Sequence, residues 1–332
     1  MSEVRVGLQG CGGMGKGLVS QLVTLEGAKL VAGADVFEES RTKFAEEYSV
    51  PVYESLTDML ADGDLDAVIV ATPNNFHCPN TVEVAAAGKH VFCEKPMSLT
   101  LADCDAMIDA CKQAGVKLQI GQVLRYLPDF AHAIDLVRGG DIGQPRHGLI
   151  CRYSAPRPDW GHTWRDDPEK VGHYLFEVSV HEIDFMRCVF GKPVAVSGWD
   201  VSLHGDQQLW ARATTGAIEF EGGAMCLIIE GMFNPIGRTE VEISGSEAAM
   251  RFNWGGQFKF KTVSGEGDWE KPSSELAAGR EDGRRRELRE WIEAIANDTP
   301  ATIPGEEGKA NIELALAILQ ASAEKRRIEL PL

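Results

Sequence analysis

The sequence predicts an α/β chain in two parts: a doubly wound parallel sheet over residues 1–122, then an α+β domain with a largely antiparallel, open sheet over residues 123–332. Three observations carry this. Apolar strand-like runs alternate with helical stretches through about the first 120 positions, the signature of βαβ units. The run Ala67-Val68-Ile69-Val70-Ala71 is apolar without alternation, as a strand covered on both faces must be. After about residue 145, strand candidates follow one another with no helices between them, which reads as an antiparallel sheet.

In order, strands are expected over residues 4–9, 29–34, 67–72, 91–93 and 116–121. The helical patterns between them cover 16–25, 38–48, 79–87 and 101–114. The second part opens with one long helical segment, 174–190. Strands are then expected over 194–203, 217–220, 225–232, 240–244 and 258–262, some separated by glycine joints such as Glu221-Gly222-Gly223. The polar, glycine-containing stretch 265–283 reads as a surface excursion. Helices over 286–296 and 306–325 close the chain, the last expected to pack back toward the first domain.

A chain of 332 residues, 44% hydrophobic and 25% charged, has material for two globular cores. Fifty acidic against 33 basic residues give a net charge of −17, which repels polyphosphate backbones and anionic lipid surfaces. Nucleic acid and membrane are therefore excluded as expected partners. The one basic run, Arg284-Arg285-Arg286, heads a helical pattern and reads as a solvated face. Eight cysteines stand at 11, 78, 93, 104, 111, 151, 188 and 226 without CxxC or zinc spacing, so free thiols in a reducing compartment and no metal are expected. With no leader pattern and no apolar stretch long enough to span a bilayer, the expected location is the cytoplasm.

The turn Gly10-Cys11-Gly12-Gly13-Met14-Gly15 follows an apolar strand and opens a helix. That context makes it a dinucleotide fingerprint of the Rossmann type. Gly10 permits the tight turn, Gly12 leaves room for a pyrophosphate, and Gly15 allows the helix close to the strand. The helix N-terminus supplies N–H groups and positive dipole. A tight turn that binds nothing is the alternative, and Gly13 and Gly17 argue against it, since packing alone does not need them. Asp35 ends the second strand, where a carboxylate accepts hydrogen bonds from a ribose and repels a 2′-phosphate. NAD is expected in preference to NADP. Asp35 could equally cap the following helix, and Arg41 is the nearby cation that could accommodate a phosphate. Thr72, Pro73 and Asn74 follow the next strand at the carboxyl edge, as cofactor contacts or as turn chemistry.

Glu94-Lys95-Pro96 follows the strand 91–93 at the same edge. A lysine there can hydrogen-bond a reacting oxygen and stabilise alkoxide character; a surface lysine beside a proline turn is the plainer reading. Glu177 and His181 lie four apart in a helical pattern and share a face. An imidazole beside a carboxylate is a suitable proton acceptor near neutral pH, with Asp184 as a further orienting group. A surface i,i+4 pair with a core-edge histidine would have the same spacing.

Together these pieces resemble the glucose–fructose oxidoreductase/inositol dehydrogenase/MocA family over essentially the whole chain. The resemblance includes the glycine turn, Ala71-Thr72-Pro73, Glu94-Lys95-Pro96 and Gly121-Gln122-Val123-Leu124-Arg125-Tyr126 with Pro128. It continues through Glu177…His181-Glu182-Ile183-Asp184 to the closing Leu330-Pro331. It implies an NAD(P)-dependent dehydrogenase in which Lys95 and His181 carry catalysis, with Glu177 where the family has aspartate. A glycine triplet of the family appears here as Gly172-His173-Tyr174. The implied cofactor contacts are Gly10, Gly12, Gly13, Met14, Gly15, Asp35, Thr72, Pro73, Asn74, His77, Glu94 and Lys95. The implied substrate contacts are Lys95, Arg125, Tyr153, Asp159, Trp164, Arg165, Glu177 and His181. They come in part from the polar–aromatic stretch that also holds Arg152, Arg157, Trp160 and His162, whose aromatic faces and forked donors suit a polyhydroxylated ring. The resemblance also implies a cis bond before Pro96 and homodimers or homotetramers formed through the C-terminal sheet. The expected reaction is hydride transfer between a nicotinamide and a secondary alcohol of a sugar or inositol. A redox-neutral lyase or glycosidase on the same fold, and a non-catalytic dinucleotide sensor, are the alternatives.

Overall fold

The first apolar run forms β1 (Val4–Gln9), and the glycine turn leads into α1 (Gly13–Leu22). There follow β2 (Ala28–Ala34), α2 (Glu38–Tyr48), β3 (Val52–Tyr53), α3 (Leu56–Asp62), β4 (Ala67–Val70), α4 (His77–Ala86), β5 (His90–Cys93), α5 (Leu101–Ala114) and β6 (Leu118–Ile120). All six strands are parallel, in the order β3-β2-β1-β4-β5-β6. The order reverses between β1 and β4, so the loops after these strands flank a crevice at the carboxyl edge. Every residue of β4 is buried, which is why its sequence shows no alternation. Side-chain caps start the helices where the sequence supplies them: Ser55 accepts from the Asp58 N–H at α3 and Thr100 from Asp103 at α5.

The computed structural model describes residues 3–155, 164–203 and 211–332. Its remaining elements are α6 (Pro128–Gly139), β7 (Pro145–Ser154), α7 (Pro168–Val171), α8 (Val180–Phe190), β8 (Pro193–Ser202), β9 (Arg212–Phe220), β10 (Met225–Met232), β11 (Arg238–Gly245), β12 (Ala248–Phe252), β13 (Gln257–Thr262), β14 (Trp269–Pro272), α9 (Ser273–Ala277), α10 (Gly283–Ala296), α11 (Gly305–Glu324) and β15 (Ile328–Glu329). Nine strands form one sheet in the order β14-β13-β12-β11-β7-β10-β9-β8-β15. It is antiparallel throughout except where β10 runs parallel to β7.

Two expectations are corrected here. The stretch read as a surface excursion contains β14 and α9. Trp269 stacks on Phe258 and Phe260, with centroids 5.4 Å apart in each case, so an edge strand and not a loop results. The long helix read over 174–190 is not uniform: Leu175–Ser179 is π-helical and α8 begins only at Val180. The periodicity of five residues cannot separate the two windings.

The chain divides into two compact units, Met1–Val123 with Asp282–Ile312, and Leu124–Glu281 with Glu313–Leu332. The late segment joins the first unit because of α10, which lays Leu288, Trp291 and Ile292 into the core of Leu8, Leu18, Phe44, Ile69 and Phe92. Trp291 is fully buried, its ring edge-on to Phe92 at 5.5 Å. A tryptophan of roughly 150–250 Å² contributes on the order of 4–6 kcal/mol of burial, an upper bound. Within the second unit, Phe130 of α6 meets Phe185 at 4.9 Å and Phe252 at 5.1 Å, joining α8 to the sheet. On β8, Trp199 and Val201 are 59% and 54% exposed.

Candidate active site

In the first unit the glycine turn has the geometry its sequence implies. Gly10 has φ of +99°, and a Cβ there would lie 2.6 Å from the Ala71 carbonyl oxygen. Any other residue is excluded by conformation and by space. A Cβ at Gly15 would collide with the Gly10 carbonyl oxygen, so this glycine sets the approach of α1 to β1. At Gly12 and Gly13 a Cβ would meet nothing within 4 Å. These two positions leave open space over the first turn of α1, where no side chain caps the helix and no acidic residue sits. Orphan N–H groups and the helix dipole make that space a fit for a pyrophosphate. Met14 borders it, partly exposed.

Asp35 stands at the end of β2. Its Oδ2 accepts the Cys11 N–H (2.8 Å) and its Oδ1 accepts the Phe37 N–H (2.9 Å). It therefore braces the glycine turn and the start of the α2 segment together, each oxygen keeping a lone pair for a further donor. Arg41 gives Nη1 to the carbonyls of Asp35 (2.7 Å) and Val36 (3.0 Å). Burial, with the Asp35 charge beside it, pushes the Cys11 thiol up to about 12, so it is a packing group and not a nucleophile.

Two loops at the same edge carry the other expected contacts. After β4, Thr72 accepts the Asn80 amide on its hydroxyl (3.1 Å), and Asn74 is buried in the turn that follows Pro73. His77 starts α4 and is buried; its Nδ1 lies 2.7 Å from the Pro96 carbonyl oxygen and its Nε2 2.9 Å from that of Thr72. After β5, Glu94 and Lys95 are half-buried, and the Lys95 N–H donates to Glu94 Oε2 (3.1 Å). The Lys95–Pro96 peptide is cis.

In the second unit, α8 presents His181 half-buried while Glu182 through Met186 are buried. The preceding π-helical turn carries Glu177, 5% exposed, whose Oε1 accepts Arg165 Nε (2.8 Å). The Arg165 guanidinium lies over the Trp164 ring at 4.4 Å. The structure thus brings Trp164, Arg165 and Glu177 together. Arg125 forks both oxygens of the fully buried Asp184 at 2.6 Å each, fixing the first turns of α8 from the segment before α6. Arg152, on β7, gives Nη1 to Glu182 (2.8 Å). Side chains alternate along a strand, so Tyr153 faces the other way from Arg152 and α8, where it lies against Phe233 at 4.9 Å. Asp159, Arg157, Trp160 and His162 lie outside the described residues.

Two buried clusters escaped the sequence reading. Glu230 of β10 is fully buried; its Oε2 accepts the Ser179 hydroxyl (2.9 Å), while its Oε1 and Oε2 of Glu182 have no hydrogen-bond partner among the described residues. Burial first, then the Glu182 charge, push the Glu230 carboxyl well above the usual range, against the pull of Arg152 and Ser179. A lone glutamate inside the apolar run Met225–Met232 was the signal that could have found it. Asp200 of β8 collects Arg212, the Thr214 hydroxyl (2.7 Å) and His173 Nε2 at 3.3 Å. Burial alone would raise its carboxyl, but the nearby His173 ring and the hydrogen bonds from Arg212 and Thr214 hold it far below the carboxylate range. His173, standing where the resembled family has glycine, also receives the Leu175 N–H on Nδ1 (3.1 Å), pinning the start of the π-helical turn.

Residues 4–122 match the oxidoreductase family with an NAD-binding Rossmann fold, and residues 134–330 match its C-terminal alpha/beta domain. The chain belongs to the Gfo/Idh/MocA oxidoreductase family. It is an NAD-binding enzyme of that family. A myo-inositol 2-dehydrogenase of Thermotoga maritima is 28% identical over 98% of both chains. An uncharacterized oxidoreductase of Streptococcus pneumoniae is 30% identical over 77% of this chain and 71% of its own. Among solved structures, an aldose-aldose oxidoreductase from Caulobacter crescentus complexed with glycerol superposes with a TM-score of 0.87 at 26% identity, covering 99% of this chain and all of that one. Among the described residues, no helix is long and apolar enough to cross a membrane, and no group of His, Cys, Asp and Glu could hold a metal ion.

Proposed function

We propose that this Gfo/Idh/MocA oxidoreductase oxidises a secondary alcohol of an inositol, sugar or sugar derivative, reversibly and with NAD. The observation that carries this reading is the pairing of an open, dipole-facing glycine cradle with a half-buried lysine on the loop after β5. Bound NAD⁺ supplies the acceptor for the hydride that leaves the carbinol carbon. The chain's own residues do the rest. The Lys95 ammonium donates to the reacting oxygen and holds its charge as the carbonyl forms. His181 takes the hydroxyl proton. Glu177, held by Arg165, orients these groups, and Arg125 acts through Asp184 to keep α8 in place. Trp164, Arg165 and Asp159 are proposed as substrate contacts; Tyr153, which faces away from α8 against Phe233, is not. Asp35 favours NAD over NADP, because a 2′-phosphate would meet a carboxylate while the nearest guanidinium, Arg41, is engaged with main-chain carbonyls.

The same reading places the protein in the cytoplasm, as a homodimer or homotetramer formed through the C-terminal sheet. The exposed Trp199 and Val201 support that interface. We divide the chain by role at residue 122. The test is NADH appearance with a panel of myo-inositol, scyllo-inositol, D-glucose and D-xylose, and a Lys95→Ala variant whose kcat falls on the order of 100-fold or more. Near-normal turnover by Lys95→Ala would sink the assignment. A second reading is favoured by a relative named 2,7-anhydro-N-acetylneuraminate hydratase, from Mediterraneibacter gnavus, 31% identical over 62% of this chain. On that reading NAD is used transiently, and product forms with no net NADH.

A further inference from the structure

Resting on the role given to Lys95 above, we propose that His77 is a positioning residue: a doubly protonated imidazole that clamps the β4 loop to the β5 loop and so fixes where Lys95 stands. Both ring nitrogens face main-chain carbonyls, Nδ1 that of Pro96 at 2.7 Å and Nε2 that of Thr72 at 2.9 Å. A carbonyl oxygen only accepts. A neutral imidazole carries one N–H, so either tautomer would set a nitrogen lone pair against an oxygen lone pair inside 3 Å. Only the imidazolium has two donors.

The ring is 1% exposed, so water cannot take over either bond. A cation at the first residue of α4 is opposed by the helix dipole and by burial. Two short charge-assisted bonds act in the other direction, and the dipole effect is the weaker of these within one helix turn. The elements packed against α4 carry titratable groups that include Glu94 and Lys95 after β5, His90 on β5, Cys78 and Glu83 on α4 itself, Asp103, Asp105, Asp109 and Lys112 on α5, and Asp58 and Asp62 on α3. Pro96 adjoins Lys95, and Thr72 adjoins Pro73 and Asn74. The clamp therefore joins the two loops that follow neighbouring strands of the sheet. Displacing a catalytic group by about 1 Å costs on the order of 100-fold in rate.

The test uses the full-length, deuterated protein with 15N-labelled histidine and saturating NAD, the His77 signals being those lost in His77→Gln. Two protonated ring nitrogens are expected at about pH 7, above the ordinary imidazole pKa of about 6.5. A single protonated nitrogen overturns the proposal, and this readout needs no variant to fold. In parallel, His77→Gln is expected to bind NAD within about twofold of wild type while kcat on the best substrate of the panel falls about 10–100-fold. An unchanged kcat overturns the proposal. So does a loss of NAD affinity as large as the loss in kcat, which would make His77 a plain cofactor contact. Normal turnover by Lys95→Ala beside a doubly protonated ring would instead fault the role given to Lys95.

Discussion

Replacing Glu230 by glutamine should make the protein more stable at neutral pH and remove part of its pH dependence. Glu230 and Glu182 are both buried, and among the described residues one guanidinium, Arg152, serves the pair, hydrogen-bonded to Glu182 and acting on Glu230 through its charge. Burial and the Glu182 charge raise the Glu230 carboxyl well above its unfolded value of 4.5. The native state therefore holds a proton that the unfolded chain has released. Stability from this group is fully present below the unfolded pKa and is lost as pH rises toward the folded one. The slope is about 1.4 kcal/mol per pH unit between the unfolded and the folded value. Glutamine keeps the shape and an acceptor for Ser179, and has no proton to lose. Denaturant unfolding of wild type and Glu230→Gln, from about pH 5 to pH 8, measures the difference at each pH, in which all other titrations cancel. Parallel curves for the two proteins, or a variant less stable than wild type near neutrality, would refute the reasoning.

Other consequences follow from the same geometry. Asp35→Asn keeps the acceptor for the Cys11 amide but removes the charge and the acceptor for the Phe37 amide, so the preference for NAD over NADP should fall by about tenfold, as read from cofactor affinities, with some loss of Tm. Trp291→Ala should destabilise the protein by about 3–5 kcal/mol and lower NAD affinity only through unfolding, read by denaturant titration with and without cofactor. Asp200 is depressed, so its contribution is present above its unfolded pKa of 3.8 and disappears as pH falls through the folded value. Asp200→Asn should therefore lose stability at neutral pH and converge on wild type in acid, measured by thermal unfolding.

The parallel sheet could be read from the chain because its strands are apolar on both faces and its turns are written in glycine. β3 and β15 could not, since each contributes only two residues and has no period to detect. The π-helical turn was invisible for a different reason: its composition suits an α-helix, and the extra residue per turn is set by neighbours such as His173. At the site, the glycine turn and Asp35 were legible because backbone conformation dictates residue type there. The ion pairs of Arg125, Arg152 and Arg165 were not, because a partner 12 to 59 positions away is chosen by the fold and not by local spacing. The opposed directions of Arg152 and Tyr153 were available from strand alternation alone. His77 is the instructive case: the sequence marked its position, and only the structure shows both of its nitrogens occupied by carbonyls.

The socket for Trp291 also bears on how the protein is made. The first unit needs residues 282–312 to complete its core, and these leave the ribosome long after β6. At about 5–20 residues per second, roughly ten to thirty seconds of synthesis separate the two. During that interval the nascent sheet exposes an apolar hollow beside Phe92, a natural site for chaperone engagement. A fragment cut after residue 123, however complete its nucleotide fingerprint, would carry the same open hollow for good.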